Sequence, residues 1–90
     1  MTKVYKFHFP KNGFGVHEID MPIGSKIISC QLQSVFFTIW AIVHENNIYE
    51  KRVFEVVGTG QPFEDSRFER VFIATIQAGV MVFHVFEQVK

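Results

Sequence analysis

Four histidines, one cysteine and two close pairs of carboxylates are the residues of this 90-residue sequence best suited to metal or acid–base chemistry. Their arrangement argues against both. His8, His17, His44 and His84 lie on four separate apolar runs, and no pair has the close spacing that a zinc site takes from His and Cys ligands. Cys30 stands between Ile28 and Leu32 on the apolar side of its run, where a thiol has a raised pKa and is inert. Glu18 and Asp20 fall on the polar side of a strand, and Glu64 and Asp65 in a loop, neither pair with a visible partner for proton transfer. No hydrolase, kinase or dinucleotide-fold motif is present. The expectation is a protein that is not an enzyme, with no catalytic residue, no metal and no cofactor.

What remains is binding chemistry. Gly58-Thr59-Gly60 is the most distinctive local feature, because glycines let a backbone adopt positive φ and approach a phosphate closely. Thr59 adds a hydroxyl and Gln61 an amide, although Gly-x-Gly also serves as plain strand punctuation. Trp40 is the lone tryptophan. Its ordinary role is a core or interface anchor; the functional alternative is stacking on a nucleobase, worth about 1–3 kcal/mol per base. Arg52 has Glu50 and Glu55 nearby, and could instead clamp a phosphate bidentately. Trp40, Arg52, Thr59, Gly60 and Gln77 are the candidate ligand contacts, with His84 a further donor. Arg67 and Arg70, flanking Phe68, read as a solvated rim.

Strands must position these groups. Tyr5, Phe7 and Phe9 alternate with Lys6 and His8; His17, Ile19 and Met21 alternate with Glu18 and Asp20; Ile28, Cys30 and Leu32 alternate with Ser29, Gln31 and Gln33. Such alternation marks strands buried on one face. Val35 to His44 is apolar on both faces, which places it centrally or against another subunit. Glu45-Asn46-Asn47 is a hairpin signal before a fifth run from Ile48 to Val57. The irregular stretch from Gly58 to about Arg70 leaves room for one short helical turn over 64–70, capped by Asp65 or Ser66. Runs from Val71 to Ile76 and from Val80 to Gln88 read as a hairpin around Gln77-Ala78-Gly79. The sum is an all-β fold, a compact antiparallel sandwich or barrel of about seven strands.

Ninety residues suit a single domain, residues 1–90. Eleven phenylalanines are more rings than so small an interior hides, so some are expected to face a ligand or a second copy of the chain, in a dimer or tetramer. The formal net charge is zero, which argues against duplex DNA but leaves a small anion held by two or three donors. A lone cysteine, no signal-peptide apolar region and no run long enough to span a bilayer give the expectation of a soluble protein in a reducing cytosol, with no membrane partner.

Several blocks occur in a particular order. Tyr5-Lys6-Phe7 opens the chain. Trp40-Ala41-Ile42-Val43, Lys51-Arg52-Val53-Phe54 and Val56-Val57-Gly58-Thr59-Gly60 follow, and then Phe72-Ile73-Ala74-Thr75-Ile76-Gln77 and Val82-Phe83-His84-Val85-Phe86-Glu87. In these blocks the sequence resembles a family of short phage-encoded proteins. The resemblance implies an immune-evasion protein of the anti-CBASS sponge type, acting in the host bacterial cytoplasm. Such a protein sequesters a cyclic nucleotide messenger, a cyclic dinucleotide such as 3′,3′-cGAMP or a cyclic ADP-ribose variant, without cleaving it. The alternative is a protein-binding module: an inhibitor of a host enzyme or a minor virion component, anchored by exposed Phe residues.

Overall fold

The computed structural model describes residues 1–11, 13–62 and 69–89. Seven strands run β1 (Thr2–His8), β2 (Gly15–Pro22), β3 (Lys26–Gln33), β4 (Phe36–His44), β5 (Tyr49–Gly58), β6 (Glu69–Ala78) and β7 (Met81–Val89). They form two antiparallel sheets, one of order β1-β4-β3 and one of order β2-β5-β7-β6. Among the described residues there is no helix, and none long and apolar enough to cross a membrane. The all-β expectation holds, and two separate sheets make it a sandwich rather than a barrel. Of the helical turn expected over 64–70, residues 64–68 lie outside the described residues, and Glu69 and Arg70 instead open β6.

Period-two patterning decides which side chains meet between the layers. From the three-stranded sheet come Cys30, Phe37, Ile39, Ala41 and Val43; from the four-stranded sheet come Ile19, Met21, Phe54, Val56, Ile76 and Val85. Rings link the layers. Phe9 lies 5.9 Å from both Phe37 and Phe54 and 5.0 Å from His17, and Phe37 meets Phe83 edge-on at 5.0 Å. Phe9, Phe37 and Phe54 are thus buried, whereas Phe14, Phe36 and Phe72 are 42%, 48% and 57% exposed. His17, buried, donates from Nε2 to the Gly13 carbonyl at 3.0 Å and ties the β1–β2 connection to the core.

Two connections are hairpins, β3–β4 and β6–β7. The Glu45-Asn46-Asn47 turn, expected to join a hairpin, instead carries the chain from one sheet to the other, because β4 already has β1 and β3 on its two edges. The turn itself forms: Asn47 N donates to His44 O at 2.9 Å. Ile23 N bonds to Ile48 O at 2.8 Å, and Asn47 Nδ2 to Ile23 O at 3.0 Å, pinning this crossing to the β2–β3 crossing beside it.

β3 and β6, edge strands on the same side of the sandwich, each carry a register shift, at Ile27/Ser29 and Phe72/Ala74. Bulges twist an edge out of line and blunt its pairing with other chains. The broad faces of the sheets, more than these edges, are the surfaces on offer.

Candidate functional site

The six candidate contacts fall in three places. Arg52 shares its inward parity on β5 with Phe54 and Val56, so its guanidinium lies between the sheets. Nε and Nη2 donate to the two carboxylate oxygens of Glu87 at 2.6 and 2.8 Å, and Nη1 donates to the Ser25 carbonyl. The fork is thereby committed to β7 and to the β2–β3 turn, not to Glu50 or Glu55. Glu55 points to the opposite face and accepts from Arg70 Nε at 2.7 Å and Gln88 Nε2 at 3.2 Å. A cleft of about 540 Å³ beside Arg52 is lined by Glu50, Lys51, Glu87 and Gln88 among others, a rim of mixed charge.

Thr59, Gly60, Gln77 and His84 belong to the outer side of the four-stranded sheet. Thr59 Oγ1 lies 2.7 Å from His84 Nε2, and Thr75 Oγ1 lies 3.0 Å from His84 Nδ1, so one imidazole bridges the loop and the edge strand. Gly60 takes a φ of 78°, as a glycine in such a turn can. The amide of Gly58, however, donates to Gln61 Oε1 at 2.8 Å, and Gln61 N donates back to Gly58 O at 3.1 Å. The Gly-x-Gly segment closes on itself, and its Gly58 amide is not open to a phosphate. Gln77 pairs with Val82 and is exposed on β6.

Trp40 lies across the molecule, on the outer face of the three-stranded sheet. It is half-buried and sits on the central strand, paired with Lys6 on β1 and Ser29 on β3. Phe36, 48% exposed, lies on the same side of β4 and pairs with Gln33. Between the two rings sits Thr38, fully buried, whose hydroxyl donates to Phe36 O at 3.0 Å and therefore accepts from His8 Nδ1 at 2.9 Å. The His8 ring lies 5.1 Å from that of Phe36. Lys6 Nζ donates to Gln33 Oε1 at 2.9 Å. Because Lys6 is opposite Trp40 and Gln33 opposite Phe36, this bond crosses the central strand between the rings. Gln31 Nε2 donates to Ser29 Oγ at 3.1 Å along the β3 side.

The charge distribution singles out this face. β1, β3 and β4 contain three lysines, Lys3, Lys6 and Lys26, and no Asp or Glu. Lys3 turns the other way and pairs with Glu45 at 3.0 Å. Lys6 and Lys26 make no ion pair among the described residues. β2, β5, β6 and β7 carry six carboxylates against Lys51, Arg52 and Arg70. A net charge of zero thus conceals a cationic, ring-bearing layer backed by an acidic one.

Residues 1–90 match a domain family described only as a domain of unknown function, DUF7352. The chain belongs to the DUF7352 family. No curated protein and no solved structure matches it.

Trp40 is the one sequence candidate on this face of the DUF7352 domain, a sheet whose three strands carry no Asp or Glu. Lys6, His8, Phe36 and Gln33 were missed. Alternation does put Lys6 and His8 opposite Tyr5 and Phe7, but only the pairing of β1 with β4, some thirty residues away, brings them beside the tryptophan. The described residues hold no cluster of His, Cys, Asp or Glu able to bind a metal. Burial pushes the Cys30 thiol up to about 12, far from nucleophilic use.

Proposed function

We propose that the protein is a non-catalytic capture protein for a cyclic nucleotide messenger, held on the outer face of the three-stranded sheet. The observation that supports this reading is the coincidence on one face of Trp40, Phe36 and Lys6, which makes no ion pair among the described residues, on strands that carry no Asp or Glu. A ring supplies a stacking platform of about 1–3 kcal/mol per base. An ammonium supplies a point charge for phosphate. Ser29, Gln31 and Gln33 supply hydroxyl and amide groups for base edges or ribose. The three strands themselves carry no carboxylate to repel the anion. Capture without cleavage asks for nothing more. It suits a phage protein that silences a bacterial immune signal, and a symmetric oligomer would present paired copies of the face to a pseudo-symmetric ligand.

The test is calorimetric titration with 3′,3′-cGAMP and with a cyclic ADP-ribose variant, followed by heat release and mass measurement of the nucleotide. Binding that Trp40→Ala abolishes, with the nucleotide recovered intact, supports the reading. Recovery of cleaved nucleotide, or no binding to any nucleotide, refutes it. A second reading rests on the apolar share of the same face, where Val4 and Ile28 are half or more exposed: a protein-binding module that buries those side chains. Its signature is a partner complex that persists through nuclease treatment and dialysis and is lost on Ile28→Asp.

A further inference from the structure

The order of groups on β4 and its neighbours is ring, cation, ring. Trp40 and Phe36 share one side of one strand, four residues apart, which at the strand rise separates their Cα atoms by about 13 Å. That is several times the roughly 3.4 Å between successive units of a stacked strand. Among the described residues the two rings make no contact with each other, and two separate rings on Cα atoms so spaced address two bases that are splayed apart, not a stacked pair. Lys6 Nζ is held across the strand between them by its bond to Gln33 Oε1 at 2.9 Å. Thr38 beneath it is fully buried and locked to His8 and to Phe36 O, so the floor between the rings is rigid. A ligand bridging the two rings would lay its connecting phosphate over the ammonium.

We infer that this face selects ligands with two bases joined through phosphate, and discriminates against those with one base. The inference rests on the capture reading above and narrows it: among cyclic messengers it favours cyclic dinucleotides over cyclic ADP-ribose variants, which carry a single base.

The experiment is a tryptophan-fluorescence titration, since Trp40 is the only indole in the chain. The probes are AMP, the linear dinucleotide ApA and 3′,3′-cGAMP. The readout is the ratio of two-base to one-base affinity. The expected ratio is at least tenfold, equivalent to 1.4 kcal/mol and within the worth of one further stacked base. In Phe36→Ala the ratio falls to near one, and in Phe36→Tyr, which keeps the ring, it returns. Nucleotide binding with a ratio near one in the unaltered protein, or a ratio that Phe36→Ala does not change, overturns the inference while leaving nucleotide capture standing. No quenching and no thermal shift with any of the three overturns the capture reading, and this inference with it.

Discussion

Arg52 is the residue whose role changes most once its partners are visible. Its fork holds Glu87, and both side chains are largely buried. Removing one partner of a buried pair leaves the other uncompensated, at a cost of about 3–5 kcal/mol. Arg52→Ala is therefore expected to lower the urea midpoint severely, whereas a ligand-clamping role would leave the midpoint unchanged. Glu55 makes a different prediction. Burial raises its pKa, but the hydrogen bonds from Arg70 and Gln88 outweigh burial and hold it below the ordinary carboxylate value of 4.5. A depressed carboxylate contributes stability that is present above the unfolded value and lost as pH falls through the folded one. Stability should accordingly drop as pH falls below about 4.5, and Glu55→Gln should flatten that acid limb in pH-dependent denaturation. Cys30, buried and with its thiol pushed up to about 12, should resist iodoacetamide at neutral pH in the folded protein and react once urea unfolds it.

At the level of strands and turns, the β3–β4 hairpin carries a local strain. Ser34 adopts a φ of 58°, a left-handed conformation that disfavours side chains by about 1–2 kcal/mol. Glycine loses some of that advantage through its greater unfolded-state freedom, about 0.5–1 kcal/mol. Ser34→Gly should therefore stabilise by up to about 1 kcal/mol, seen as a rise of several degrees in Tm for a domain of this size. An unchanged or lowered Tm would show that the hydroxyl matters more than the backbone. Gly58 answers to the opposite constraint. A Cβ there would lie 3.1 Å from the Phe14 ring, so its smallness serves the close approach of that ring rather than ligand access.

Over the whole molecule, the division of charge between two layers is the property that composition conceals. Equal numbers of acidic and basic residues argued against a polyanion footprint, but the strands divide them unevenly: the three-stranded sheet carries three lysines and no Asp or Glu, and the four-stranded sheet six carboxylates against Lys51, Arg52 and Arg70. Nucleotide affinity should accordingly weaken as salt rises, and Lys6→Met should flatten that dependence. A nucleotide present at about a hundred times its Kd should add roughly 2.7 kcal/mol of stability, read as a clear thermal shift.

Alternation along the chain was enough to recognise strands, most of their inward residues and the inertness of Cys30, because a period of two and the company a side chain keeps are local properties. Alternation failed at Ile28, expected inward beside Cys30, which the register shift in β3 leaves 50% exposed while Ile27 packs on the core. It was also enough to mark Trp40 as facing away from Ile39 and Ala41. Which strands become neighbours is not local. Pairing β4 with β1 and β3, and sending β5 into the other sheet, carried Arg52 to Glu87 and left Thr59 and His84 on the far side. The same pairing set Lys6, His8 and Phe36 around Trp40. Contacts between residues dozens of positions apart depend on how two patterned faces close over one core, and only the folded arrangement decides that.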